Sequence, residues 1–186
     1  AVYGREECGE VLLQNGAEVN ERNWEGCTAL HLAASHKHPE FIEMLLDKGA
    51  STEERQAANA QTALHKAAYF GEAECIEVLL DHGAAIDSQD KQGRTPLFYA
   101  VVGQHMECLQ VLIDRGANNY PEDRRARGLL HVAATQLGAE SIDLISFLLQ
   151  IGHDVDGVDE SGKTSLHWAV MSGNVDAARE LISRGA

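Results

Sequence analysis

The sequence has few aromatic residues, little proline and no long apolar run. Aromatic residues make up 5% of its 186 residues, and proline occurs three times. No stretch approaches the roughly 20 apolar residues that span a bilayer, so direct membrane insertion is not expected. Within a hydrophobic share of 44%, the scarcity of aromatic rings favours a core of small aliphatic side chains packed in thin layers.

Positive charge is also scarce. The chain carries 15 basic and 29 acidic residues, a formal net charge of −14. Such a field repels nucleic-acid phosphate and anionic lipid, so nucleic acid is not expected as a partner. It favours a protein or peptide partner with a basic segment, although solubility alone explains an acidic surface equally well.

Paired cysteines and glycosylation signals are missing. The four cysteines lie far apart without a C-x-x-C pair, and no N-x-[ST] acceptor is present. Both absences favour a reducing interior, cytoplasmic or nuclear, over secretion.

What the sequence does contain is a repeat. Five segments of the form T-x-L-H-x-A-A start 34, 33, 33 and 36 residues apart, at Thr28, Thr62, Thr95, Gly128 and Thr164. A second element, L-L-x-x-G-A, follows each of them, starting at Leu45, Leu79, Leu112, Leu148 and Leu181, and a sixth copy stands alone at Leu12.

These two elements resemble the T-P-L-H-x-A-A and L-L-x-x-G-A signatures of the ankyrin repeat family. The resemblance implies an all-α solenoid of stacked antiparallel helix pairs with β-hairpin or turn tips. It divides a single array, residues 1–186, into a partial repeat and five full repeats. The expected bounds are 1–19, 20–53, 54–86, 87–119, 120–155 and 156–186.

The two ends suggest a fragment of a longer protein. Residues 1–4, including Tyr3, align with the end of a first helix, and the chain stops at Gly185-Ala186, where another hairpin would start. Stable arrays need polar caps, and neither end shows one clearly.

The repeated positions also have physical roles. Threonine is placed to cap each first helix, and the glycine after each second helix is placed to end it in a left-handed conformation. Three departures stand out. Gly128 replaces a capping threonine, three extra residues near Gln136–Ser141 are expected to lengthen the turn between two helices, and Ala57–Ala60 replaces the usual Asp-x-x-Gly tip.

Several apparent catalytic or ligand motifs coincide with repeat positions. Gly157–Thr164 matches the G-x-x-x-x-G-K-[ST] phosphate loop, but Gly162 and Thr164 fall on the turn and cap positions. Four of the nine histidines share one repeat position, where hydrogen bonds between repeats are expected. Cys8, Cys75 and Cys108 share a second repeat position and are expected to be small buried residues. We therefore predict no enzyme, cofactor, metal or small-molecule substrate.

The expected recognition surface is the concave face formed by the hairpin tips and first helices. Aromatic residues are frequent at its outward positions, although packing on a neighbouring helix is the alternative explanation. An arginine cluster at one tip suits an acidic segment or phosphate, or is simply a solvated loop. Acidic tip residues, including Asp90, Asp159 and Glu160, suit a basic ligand. The candidate partner-binding residues are Trp24, Glu25, Tyr69, Phe70, Tyr99, Arg124, Arg125, Arg127 and Trp168, and Phe98 lies beside them.

The sequence thus predicts a non-catalytic scaffold, adaptor or regulator that binds a protein or peptide on its concave face. The alternative is a regulatory or substrate-recruiting array of an enzyme such as a ubiquitin ligase, or of a channel, whose active domain lies elsewhere. Asn20 resembles the asparagine hydroxylated in some ankyrin repeats, and a mass increase of one oxygen would test that modification.

Overall fold

The structure, a computed structural model, describes residues 6–186 as eleven helices joined by turns. The segment that aligns with a first helix, residues 1–4 with Tyr3, lies outside the described residues. Helix α1 (Glu6–Gln14) comes first, and five helix pairs follow. They are α2 (Ala29–Ala34) with α3 (Pro39–Asp47), α4 (Ala63–Phe70) with α5 (Ala73–Asp81), α6 (Pro96–Val102) with α7 (Met106–Asp114), α8 (Leu129–Ala133) with α9 (Ala139–Gln150), and α10 (Ser165–Ser172) with α11 (Val175–Ser183).

The pairs stack in chain order. Each first helix packs against the first helix of the next pair, and the second helices do the same from α1 to α7 and from α9 to α11. The only strand-like feature of residues 6–186 is an isolated bridge between Val158 and Thr164. The predicted all-α solenoid is confirmed, and its tips are turns. None of the described helices is long and apolar enough to cross a membrane.

The core is a row of thin aliphatic layers, as the scarcity of aromatic residues predicts. The paired alanines of the first helices, such as Ala67 and Ala68, are fully buried, and so is Leu79 of the following second helix. Cys75 and Cys108 lie in the same layers. Cys8 is exposed instead, because α1 lies at the end of the described stack, so the expected burial is wrong for that residue.

A buried histidine connects each of three repeats to the next. The Nε2 atom of His65 lies 3.1 Å from the Arg94 carbonyl oxygen, and its Nδ1 atom lies 3.1 Å from the Thr62 amide nitrogen and 2.9 Å from the Thr62 hydroxyl. A carbonyl only accepts, so Nε2 carries the proton and Nδ1 accepts. His31 and His131 reach the carbonyls of Gln61 and Lys163 in the same way.

The same histidine takes part in the predicted threonine cap. In the repeats with both residues, the threonine and the histidine three positions later form a reciprocal capping box, and the hydroxyl lies 2.9 Å from the imidazole Nδ1. The Thr95 hydroxyl does accept from the Phe98 amide, at 3.4 Å, because phenylalanine there leaves the hydroxyl free. Gly128 keeps the amide contact to His131 and lacks only the hydroxyl.

The glycines that follow the second helices adopt the predicted left-handed conformation. Gly83 and Gly116 have φ angles of 80° and 88°, which a Cβ atom disfavours. The chain then turns back, and the amide of Ala84 donates to the Leu79 carbonyl at 3.0 Å. Each second helix therefore ends at a fixed position relative to the next tip.

The two length irregularities of the repeat lie in different places. In the second full repeat, the Gln56 amide bonds to the Gln61 carbonyl, one residue further than the equivalent Asp90–Arg94 bond, so the extra residue is in the tip. In the fourth, α9 has 12 residues where the other second helices have nine. The connection from α8 to α9, residues 134–138, is the longest of the five, but α8 and α9 start ten residues apart as in the other pairs, so the three extra residues extend α9 by almost one turn.

The fifth repeat is linked specifically to this longer one. Asn174, at the start of α11, is buried, and its side-chain nitrogen donates to the carbonyl oxygens of Ala134 at 3.3 Å and of Gln136. Its side-chain oxygen accepts from the Ala177 amide at 3.1 Å and so begins the helix.

Burial of His65 makes stability depend on pH. Burial lowers the pKa of His65 from 6.5 to about 4. Between those values the unfolded chain takes up a proton that the folded chain does not, so stability present above the unfolded pKa is lost as pH falls. Lowering the pH from about 7 to about 5 should remove about 2 kcal/mol through His65.

Urea unfolding of the wild type and His65→Gln at both pH values checks this. The stability difference between them should narrow at the lower pH. An unchanged difference for His65→Gln would contradict the role of this imidazole.

Candidate functional site

The concave face is defined here as the five tips (residues 22–27, 55–61, 89–94, 122–127 and 159–163) together with the exposed side of the first helices. Stacked repeats of this kind form an extended concave surface. All nine candidate partner-binding residues belong to the tips or to the first helices α4, α6 and α10.

An aspartate or asparagine holds four of the tips closed. In the third repeat, Asp90 Oδ1 accepts from the amides of Gln92 and Arg94 at 2.8 and 2.9 Å. Asp123, Asp159 and Asn23 accept from the amides two and four residues later in the same way. Local side-chain bonds of this kind fix the turn without a neighbouring strand.

The tips are also bonded to one another. The Lys91 amide donates to the Asn59 carbonyl at 2.9 Å, the Arg124 amide to the Gln92 carbonyl at 2.8 Å, and the Glu160 amide to the Arg125 carbonyl at 2.9 Å. Between the first two tips, the Gln56 side chain donates to the Glu25 carbonyl at 3.3 Å. The five tips thus form a continuous row with a fixed spacing.

The acidic side chains that close the tips are not available to a ligand. Asp90 is buried, and its Oδ2 accepts from Arg94 Nε and Nη2 at 2.9 and 2.7 Å and from the Tyr99 hydroxyl at 2.8 Å. Burial alone would raise the pKa of Asp90, but the bonds from Arg94 and Tyr99 outweigh it and the pKa is lowered. Asp159 is likewise buried. The expectation that these two carboxylates attract a basic ligand is wrong.

Tyr99 and Trp168 support the tips from the adjacent first helix. Each lies nine residues after its tip aspartate, and Trp168 Nε1 donates to Asp159 Oδ2 at 3.0 Å. Arg94 stacks over the Tyr99 ring, 4.7 Å from its centroid, and Arg127 stacks over Trp168 at 5.3 Å. Tyr99 is only 4% exposed, so its predicted outward placement is wrong, and Phe98 beside it is buried. Trp168 is half-buried.

The three other aromatic residues among the partner-binding candidates do face solvent. Trp24, at the first tip, is completely exposed. Tyr69 and Phe70, at the end of α4, are 43% and 48% exposed and contact each other edge to face at 5.1 Å. The Tyr69 ring also contacts Tyr99, at 6.0 Å, so the exposed pair stands on a buried ring.

The arginine cluster divides into two kinds of residue. Arg127 is committed to Asp123, with Nη2–Oδ2 and Nε–Oδ2 distances of 2.7 and 2.9 Å. Arg124 and Arg125 are exposed, and neither forms an ion pair among the described residues. Glu25 and Glu160 are also exposed, at the first and last tips.

Three further cations of the concave face were missed by the sequence reasoning. Arg55 and Lys91 lie on tips, Lys66 lies on α4, and none of them pairs with a carboxylate among residues 6–186. Counting charge over the whole chain hides them. Counting it separately for tips, first helices and second helices would have shown them from sequence.

The residues of the apparent catalytic and ligand motifs have structural roles. Lys163 Nζ bonds to the Ser161 hydroxyl at 2.7 Å, within the tip that the phosphate-loop match covers. Burial raises the pKa of the Cys75 and Cys108 thiols to about 12, so they stay protonated. Within residues 6–186, no cluster of three His, Cys, Asp or Glu side chains could hold a metal ion. The Asn20 side chain bonds to the backbone of Gly49 and Ser51.

Comparisons with known proteins agree with this geometry. The family described as ankyrin repeats (3 copies) matches residues 51–123 and 117–186, and ankyrin repeats (many copies) matches residues 1–46. Neurogenic locus notch homolog protein 1 of Danio rerio is 31% identical over 94% of the chain, and homolog protein 2 of Homo sapiens is also 31% identical over 94%. The chain spans 6% of the length of each.

The tip contacts predict different roles for the Tyr99 and Tyr69 hydroxyls. Tyr99→Phe removes a hydrogen bond to a buried carboxylate and should lower the free energy of unfolding by about 1.5–2 kcal/mol. Tyr69→Phe is the matched control and should change it little, since the Tyr69 ring is exposed. Chemical unfolding midpoints measure both, and equal midpoints for the two variants would refute the tip-support role of Tyr99.

Substitutions of the two tryptophans should also differ in their effect on stability. Trp168→Ala removes a half-buried ring and its bond to Asp159, and should cost about 2 kcal/mol of stability. Trp24→Ala should leave the unfolding midpoint unchanged, because the Trp24 ring contacts solvent throughout. A midpoint for Trp24→Ala as low as that of Trp168→Ala would show that the first tip packs differently.

Proposed function

Because the chain belongs to the ankyrin repeat family, a non-catalytic interaction fold, we propose that it binds a partner protein or peptide on its concave face. Recognition works by rigid presentation. The row of hydrogen-bonded tips holds the contact side chains at fixed spacing before the partner arrives, so little conformational entropy is lost on binding.

The exposed pair of Tyr69 and Phe70 is the observation that carries this proposal. Aromatic rings dominate the binding energy of protein interfaces because they bring large apolar area with few rotatable bonds. These two rings are half-exposed at the centre of the array, and their edge-to-face contacts with each other and with buried Tyr99 hold them in place. A core-packing role does not require that exposure.

Trp24 extends the same surface to the first tip, where it is fully exposed. Trp168 has a double role in this proposal, since its ring supports the fifth tip and its remaining surface faces the concave side. Tyr99 acts indirectly, by supporting Tyr69.

A partner with a basic segment, as the net charge suggests, is supported only by the end tips and the second helices. Glu25 and Glu160 are exposed tip carboxylates, and the second helices are acidic. The four cysteines are free, which supports an intracellular setting for the interaction.

Partner capture tests the proposed surface. Proteins retained by the immobilised chain are compared for the wild type, Tyr69→Ala/Phe70→Ala, and the control Val175→Ala/Ile182→Ala, which truncates exposed apolar residues of α11. A set of proteins should bind wild type and control and fall at least about tenfold on the aromatic double variant, the loss expected for hot-spot residues. Equal retention by all three proteins would place the interface elsewhere.

A further inference from the structure

We propose that the middle of the concave face binds an extended acidic peptide segment that also carries apolar side chains, despite the net charge of the chain. This inference rests on the proposed function and names the chemistry of the partner. It is carried by the separation of charge between the two faces, by the unpaired cations of the tip row and by the aromatic pair next to them.

The acidic residues of the helices are confined to one side of the stack. None of the five first helices, α2, α4, α6, α8 and α10, contains aspartate or glutamate. The six second helices, counting α1, contain 15 acidic residues and one basic residue. The net charge of −14 therefore describes the second helices and does not describe the concave face.

The cations of the tip row are held in place without carboxylate partners. Arg55 Nη1 donates to the Gln89 carbonyl at 2.7 Å, and Lys91 Nζ donates to the carbonyls of Ala57 and Ala58 at 2.8 and 2.9 Å. Neutral carbonyls orient these side chains and leave their charge uncompensated. Arg124, Arg125 and Lys66 add three more such charges.

The buried acidic residues near these cations are already engaged. Asp90 and Asp123 are paired with Arg94 and Arg127. Of the exposed tip carboxylates, Glu25 and Glu160 lie at the two ends of the row, and Glu122 lies on the fourth tip beside a cavity of about 240 Å³. The unpaired tip cations Arg55, Lys91, Arg124 and Arg125 outnumber this one carboxylate, so the middle of the row is positive where a ligand would meet it.

The spacing of the row suits an extended chain. Neighbouring tips are joined by backbone hydrogen bonds, and packed helices lie about 8–10 Å apart. An extended peptide in the polyproline II conformation has three residues per turn and rises roughly 3.1 Å per residue, so carboxylates three residues apart lie on one face and reach cations on successive tips. Acidic residues at that spacing are the predicted signature of the ligand.

Apolar side chains of the same segment have a place beside the cations. A continuous series of ring contacts leads from the tip to the exposed pair: Arg94 over Tyr99, Tyr99 against Tyr69, and Tyr69 against Phe70. An aromatic or aliphatic residue between the carboxylates would rest on Tyr69 and Phe70.

Selection from a displayed library of random peptides tests the inference on the intact chain. Peptides of about 12 residues span roughly 40 Å when extended, enough to cross several tips. The enriched sequences should carry aspartate or glutamate about three residues apart, with aromatic or aliphatic residues between them. Enrichment of basic peptides, or no enrichment, would overturn the inference.

Charge reversal then locates the contact. A synthetic peptide of the enriched sequence should bind Arg124→Glu/Arg125→Glu at least about tenfold more weakly than wild type, since like charges replace opposite ones. The control Lys48→Glu/Arg179→Glu makes the same change in net charge on second-helix surfaces and should stay within about twofold. Equal losses would show a bulk charge effect and no site on the tips.

Two further measurements separate this inference from its alternatives. Raising salt from roughly 0.05 to 0.5 M should weaken the peptide severalfold, because the Debye length shortens. A single-stranded oligonucleotide should not compete; equal binding of it, lost in the arginine double variant, would mean that the row binds polyanions generally. If Tyr69→Ala/Phe70→Ala abolishes partner capture while enriched peptides are basic, the proposed function stands and this inference fails.

Discussion

The hydrogen bond from a buried imidazole to the next repeat is the interaction on which the stack depends. A single helix pair cannot bury its own apolar face, so each layer needs its neighbour. His31, His65 and His131 connect the layers at the point where the first helix starts, with Nδ1 holding its own repeat and Nε2 the following carbonyl. The neutral imidazole donates through Nε2 and accepts at Nδ1, so each histidine links its own repeat to the following one in a fixed orientation. Each of these carbonyls belongs to the last residue of a tip, so the same hydrogen bond also fixes the position of that tip.

Much of this architecture follows from sequence. The spacing of T-x-L-H-x-A-A and L-L-x-x-G-A fixes helix order and ends, and the glycine after each second helix must be where a left-handed residue is needed. The length changes were harder. Three residues added near Gln136 suit a longer turn or a longer helix equally. Similarly, a single extra residue in the second tip leaves no pattern that shows where the chain turns.

The candidate site was predictable in outline and misjudged in detail for one physical reason. Tyr99, Trp168, Lys66 and Val132 share a position in the repeat, but their exposure depends on what the tip next to them offers. A buried aspartate in the tip draws in a hydroxyl or an indole N–H, because an unsatisfied carboxylate would be costly. The same aspartate pairs with Arg94 or Arg127, so cations of one tip, such as Arg127 and Arg124, differ in their availability to a ligand. The sequence identifies the equivalent positions of the repeat, and the local hydrogen-bond partners decide the role of the residue at each of them.

The irregular fourth repeat has a meaning for folding. Near-identical repeats offer a chain many almost equivalent ways to pair, and a layer that stacks one place out of register would bury nearly the same apolar surface. The 12-residue α9 and the Asn174 side chain that fits the carbonyls of Ala134 and Gln136 match only each other. A misregistered stack would leave that asparagine buried without partners. The departure from the repeat thus fixes the register of the last helix pair within the array.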